Sequence, residues 1–96
     1  MRKYEIMFIV RPTLGEDELK KVISNFEGIL TTNGANVTES KEMGQRELAY
    51  EIKDFKSGYY HLLEVEANDD KAIKEFDRLA LISNDIIRHL ITKLEK

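Results

Sequence analysis

His61 and His89 are the side chains best suited by type to hold a metal or move a proton. A metal cage needs several ligands at close spacing, and neither histidine has a second ligand so placed. The spacing predicts two strand residues, partly buried or at an edge. Two carboxylate clusters, Glu16-Asp17-Glu18 and Asp69-Asp70, have the types required for acid–base work or for a hard cation. Both fall where a helix begins, and the positive end of the helix dipole accounts for them without chemistry. There is no glycine-rich phosphate cradle of dinucleotide or P-loop type. There is also no cysteine to serve as nucleophile, thiolate ligand or disulfide partner. These residues predict a protein that is not an enzyme, carries no metal or cofactor, and works by binding.

Two kinds of residue could bind. The first is cationic. Arg2, Lys3 and Arg11 stand against Glu5 between Met1 and Pro12, and Arg88, Lys93 and Lys96 stand against Glu95 from Ile86 onward. The middle of the chain is acidic, with Glu64, Glu66, Asp69, Asp70, Glu75 and Asp77 close together, and the net charge is −3. Basic ends on an acidic chain could meet phosphates. The second kind is apolar: Met7, Ile9, Tyr60 and Leu62 alternate with residues of a different environment, and their role depends on the elements that carry them.

Those elements can be read from periodicity. Tyr4 to Val10 is short, almost wholly apolar and stopped by Pro12, which predicts a central strand. Ile6, Phe8 and Val10 share one face, and Met7 and Ile9 the other. Thr13-Leu-Gly-Glu16 has capping-box spacing, so Thr13 is predicted to cap a helix. Leu19, Val22, Ile23, Phe26, Ile29 and Leu30 form its apolar stripe, and Asn33-Gly34 ends it. Val37 to Ile52 reads as extended, with Gly44 as a bend or bulge. A turn over Asp54 to Gly58 leads to a strand in which Tyr59, His61, Leu63, Val65 and Ala67 share a face. Asn68 or Asp69 caps a second helix with Ile73, Phe76, Leu79 and Ala80 as its stripe. Ile86 to Leu94 closes the chain as a β-branched strand.

The chain has 96 residues, of which 42% are hydrophobic and 34% charged, enough for one domain over 1–96 with its own core. No apolar run approaches the roughly 20 residues of a membrane helix, and Met1 leads straight into a charged, alternating segment. A cytoplasmic location without a membrane partner is predicted. The order strand–helix–strand–strand–helix–strand, with right-handed crossovers, gives an α+β split β-α-β sandwich of ferredoxin-like type. It is a four-stranded antiparallel sheet with two helices on one face. The first and last strands are then neighbours, so Arg2 and Lys3 are predicted to converge with Lys93 and Lys96. The helix-free face carries Met7, Ile9, Tyr60 and Leu62, an apolar patch of the kind that marks an interface.

Gly44-Gln-Arg46-Glu-Leu48-Ala49-Tyr50-Glu-Ile52, followed by Gly58-Tyr59-Tyr60, resembles the hairpin signature of the bacterial small-subunit ribosomal protein family called S-six. The opening Met-Arg-Lys-Tyr-Glu-Ile-Met, Val10-Arg11-Pro12, Asn33-Gly34-Ala35, the segment Glu75 to Leu79 and the run Asp85 to His89 also resemble it. The resemblance implies a protein of the ribosomal platform. Such a protein binds small-subunit ribosomal RNA together with the protein S-eighteen, as a heterodimer, and is a monomer when free. It implies RNA contacts at Arg2, Lys3, Tyr4, Arg46, Arg88 and Lys93. Gln45 and Glu47 flank Arg46 where the family is usually basic, and Met43 stands where relatives often carry tryptophan. Strand parity adds Met7, Ile9, Tyr50, Tyr60 and Leu62 as candidates for the protein partner. The rival reading is a homodimeric ferredoxin-like ligand-binding or enzyme domain that uses the open sheet face.

Overall fold

The computed structural model describes residues 2–95. The first strand, β1, spans Arg2–Val10, and helix α1 spans Glu16–Thr32. Strands β2 and β3 follow at Asn36–Ile52 and Phe55–Ala67, then helix α2 at Lys71–Ile82 and strand β4 at Ile86–Glu95. The sheet order is β2-β3-β1-β4, and every neighbouring pair is antiparallel. This is the ferredoxin-like architecture that the element order predicts. Among the described residues no helix is long and apolar enough to cross a membrane.

The core lies between the helices and one face of the sheet. Ile6, Phe8 and Val10 from β1, Leu63 and Val65 from β3, and Ile86 from β4 are fully or almost fully buried against Leu30 and Phe76. Three rings meet at its centre. The Phe26 and Phe76 centroids are 5.2 Å apart in an edge-on arrangement, and Phe8 lies 5.8 Å from Phe76 and 6.2 Å from Phe26. Such pairs add to what burial of the ring area supplies.

The start of α1 corrects the sequence reading. Its N-cap is Gly15, whose backbone N–H donates to Glu18 Oε1 at 3.3 Å. Thr13 lies outside the helix and accepts from Arg11 Nη1 at 2.7 Å. Arg11 also donates to Asp85 Oδ1 at 2.8 Å, so Thr13 helps fix the exit of β1 against the start of β4. The end of α1 follows the prediction. Gly34 takes φ 95°, Gly34 N–H donates to Thr31 and Ala35 N–H to Leu30, the two bonds of a Schellman cap. Helix α2 is capped at Asp70 with no side-chain bond, while Asp69 Oδ1 accepts from the Lys71 N–H at 3.1 Å.

The β2–β3 hairpin departs most from the reading. Its turn is Lys53-Asp54, with φ 51° and 69°, and β3 begins at Phe55. Two consecutive positive φ values form the tight turn that matches strand twist, so Asp54 to Gly58 is mostly strand. The ladder is broken at Gly44, where φ is 83° and the register shifts after Glu42. It breaks again between Glu47, opposite Ser57, and Ile52, opposite Phe55. Four residues, Leu48 to Glu51, there face only Lys56. These bulges bend the hairpin into an arm that curls over the helix-free side of the sheet.

Candidate docking site

Register fixes what the helix-free face presents, because directly opposed residues share a side. Met7 stands between Leu62 and Leu90, and Ile9 between Tyr60 and Arg88. Met7, Leu62 and Tyr60 are half-buried and Leu90 is 55% exposed. The apolar patch is therefore on the face that parity predicts.

That face is not bare. The arm lays Leu48, Tyr50 and Ile52 over it and encloses a cleft of about 230 Å³ above Met7, Ile9 and Tyr60. Ile9 is only 6% exposed, so it forms the cleft's floor rather than free contact surface. A close approach explains the burial. A Cβ added at Gly58 would lie 2.4 Å from Ile9 Cγ2, 3.1 Å from the Val10 carbonyl oxygen and 3.3 Å from Ile87 Cδ1. Ile87 reaches this side because it is the extra residue of a β4 bulge, between Ile86 opposite Val10 and Arg88 opposite Ile9.

At the cleft's mouth Arg88 Nη1 donates to the Tyr50 hydroxyl at 2.9 Å. Tyr50 belongs to β2 and Arg88 to β4, the two edges of the sheet. The arm thus crosses the whole face, and this bond ties its inner side to the far edge. Both residues were singled out from sequence, but for different partners, and their contact was not foreseen.

The arginines divide by what holds them. Arg11 is ion-paired to Asp85 at 2.8 Å and Arg78 to Glu75 at 2.7 Å. The Glu75 carboxyl is held below its ordinary range, chiefly by the hydrogen bond from Arg78. Arg88 is held by a phenol, and Arg46 Nε donates to the Met43 carbonyl oxygen at 3.4 Å. Arg2 lies beside Tyr4, whose side chain raises the guanidinium's pKa by hydrogen bonding, with smaller contributions from Asp70 and Asp69. A carboxylate cancels a guanidinium's charge, whereas a neutral oxygen orients it and leaves the charge in place. The two arginines held by neutral oxygens, Arg46 and Arg88, are both among those that the resemblance proposes for RNA.

The six RNA candidates do not form one patch. Lys93 is exposed and stands opposite Tyr4, so its backbone lies at the same end of the sheet as those of Arg2 and Lys3. Lys3 Nζ is 3.9 Å from Glu66 there, a surface pair of little energetic weight. Arg88 is five residues from Lys93 along β4, roughly 17 Å at strand spacing, and Arg46 lies on the arm. Tyr4 is 6% exposed and its ring belongs to the core, so any contact it makes with RNA is through its hydroxyl edge. Lys96 lies outside the described residues.

His61 and His89 both stand opposite Phe8, one on each neighbouring strand. Two strand spacings separate their backbones by about 10 Å. His61 is 5% exposed, and its Nε2 lies 2.7 Å from Ser40 Oγ, which donates to Glu27 Oε2. Nδ1 is buried without a partner. Burial lowers the His61 pKa, against weaker opposition from Glu27 and Glu42. His89 Nε2 lies 2.6 Å from Asp77 Oδ1. Each histidine links the sheet to a different neighbour.

A family model described as ribosomal protein S6 matches residues 3–93. The structure of 30S ribosomal protein S6 from Thermotoga maritima superposes with a TM-score of 0.92 at 26% identity, over 97% of this chain and 87% of that one. The C-terminal domain of the MgtC protein from Mycobacterium tuberculosis gives a TM-score of 0.54 at 16% identity, covering 99% of this chain and 89% of that one. A protein of Arabidopsis thaliana gives 0.56 at 10% identity, covering 100% and 95%. The last two share the fold alone.

Proposed function

The chain belongs to the ribosomal protein S6 family, and from that premise we propose how it serves as a structural component of the small ribosomal subunit. It binds small-subunit ribosomal RNA in the platform, together with the protein S-eighteen, in the cytoplasm and without catalysis. The cleft under the arm, with Met7, Tyr50, Tyr60 and Leu90 around the Ile9 floor, receives the protein partner, and Leu62 beside Met7 extends the same face. Arg2, Lys3 and Lys93 at the terminal edge, Arg46 on the arm and Arg88 at the cleft's mouth meet phosphates. Contacts of this kind position a protein on RNA without reading its sequence.

The observation that carries the RNA half is the division of the arginines. Arg46 and Arg88 are held by neutral oxygens and keep a charge to offer, while Arg11 and Arg78 spend theirs on internal carboxylates. The test is a salt titration of binding to a platform RNA fragment with S-eighteen present. Replacing Arg2 and Arg88 by alanine lowers affinity and reduces the slope against salt by about one per lost phosphate contact. An unchanged slope in the double variant refutes the RNA face. Sedimentation tests the partner half: a monomer that forms a one-to-one complex with S-eighteen supports it, and a stable homodimer overturns it.

A further inference from the structure

We propose that Tyr50 is a positioning residue that joins the two docking surfaces, its ring walling the partner cleft while its hydroxyl fixes the Arg88 guanidinium for phosphate. The inference rests on the reading above and goes beyond it by naming the side chain through which the two surfaces act on each other.

The argument starts from reach. In a regular hairpin Tyr50, on one edge strand, could not touch Arg88 on the other. The break that leaves Leu48 to Glu51 facing Lys56 alone removes Tyr50 from the ladder, and the arm's curl brings its hydroxyl 2.9 Å from Arg88 Nη1. Exposure is the next step. Tyr50 is 63% exposed and Arg88 is exposed, so with the cleft empty the bond competes with water and holds Arg88 weakly. A partner seated in the cleft covers the Tyr50 ring, restricts its rotamers and dries the bond, which strengthens it.

The choice of acceptor matters too. An arginine on an edge strand loses rotamer freedom when it binds a phosphate, and a tether removes part of that cost beforehand. A carboxylate in place of the phenol would order Arg88 equally well but neutralise it, as Asp85 does for Arg11. One phenol oxygen engages one of five N–H donors and leaves a pair free for a bidentate phosphate contact. Coupling through such a link is reciprocal, so RNA held by Arg88 also favours the arm position that forms the cleft wall.

The test is a double-mutant cycle of Tyr50→Phe and Arg88→Ala, with affinity for the RNA fragment measured with and without the protein partner. Phenylalanine keeps the ring, so the melting temperature is unchanged. RNA affinity of the complex falls about three- to tenfold, the worth of one hydrogen bond. The salt slope is unaltered, because Arg88 keeps its charge. In the Arg88→Ala background Tyr50→Phe has no further effect. Additive losses, or a gain of RNA affinity in Tyr50→Phe, overturn the proposal. If Arg88→Ala weakens RNA binding and Tyr50→Phe does not, the link through Tyr50 fails and the RNA reading stands. If Arg88→Ala changes nothing, Arg88 is not an RNA contact and both fall.

Discussion

One sheet has two faces, and this chain closes them by different means. The helix side is sealed by α1 and α2 around Phe8, Phe26 and Phe76, with Phe8 and Phe76 fully buried. The other side is partly covered by the β2–β3 arm, which leaves a cleft and keeps Tyr50 and Leu90 exposed. Both faces are apolar, so hydrophobicity alone does not separate the filled core from the open cleft. What separates them is the cover. Helices bring continuous apolar stripes and fill the volume, whereas a curled hairpin brings a few side chains and a single clasp. The helix side should therefore carry stability and the arm side association.

The largest effect expected from that contrast is at the ring cluster. Phe76→Ala removes a fully buried ring that packs on Phe8 and Phe26 and should cost about 3–5 kcal/mol. Urea denaturation measures it. A loss below about 1 kcal/mol would mean that the helix side does not dominate stability. Gly58→Ala comes next and probes where the two sides meet. The new methyl collides with Ile9 on the cleft floor and crowds the Val10 carbonyl, so a cost of about 1–3 kcal/mol follows. Protease cleavage within the arm should accelerate as the floor is pushed up. An Ala variant as stable as the parent would show that the close approach at Gly58 is not obligatory.

His61 gives a smaller, pH-dependent term on the helix side. Burial depresses its folded-state pKa, so the folded protein resists a proton that the unfolded chain accepts near its ordinary value of about 6.5. The contribution is complete above that pH and is lost as pH falls toward the depressed value, with a slope of at most about 1.4 kcal/mol per pH unit. Glu27 and Glu42 moderate it by favouring the charged form. Urea melts between pH 7.5 and 5 should show His61→Gln losing less stability on acidification than the parent. Equal losses would mean that His61 does not report burial.

The same contrast decides what could be read in the sequence. The helix side was legible because its signals are periodic. The stripe from Leu19 to Leu30 and the alternation of Ile6, Phe8 and Val10 survive counting by 3.6 and by 2. Gly34 marks its cap by the backbone conformation that glycine favours. The Thr13 reading failed by two residues because the helix starts later, at Gly15, where the Glu18 carboxylate reaches back to the N-cap N–H without a side chain to return the bond. The arm was hardly legible. Lys53-Asp54 adopts positive φ without the glycine that normally signals it, and every bulge breaks the parity count. Parity therefore placed Met7, Tyr60 and Leu62, which lie in intact ladder. It could not reveal that Tyr50 crosses to Arg88, nor that Ile9 is covered, since both follow from the hairpin's curvature.

The smallest effect on stability sharpens the comparison most. Leu90 is apolar, sits beside Met7 in the middle of β4 and is 55% exposed. Were the arm side a second core, Leu90→Ala would cost as much as a core truncation, about 2–5 kcal/mol. As the wall of a docking cleft it is already half in water, so the change in stability should stay within about 0.5 kcal/mol. Affinity for the protein partner should nevertheless fall about five- to tenfold, because a central apolar contact becomes desolvated only in the complex. Urea denaturation and a binding isotherm on the same variant read the two quantities. Loss of stability with intact binding would reverse the assignment of the two faces. Loss of binding alone would show that the exposed leucine serves association, and that the sheet assigns one apolar face to folding and the other to its partner.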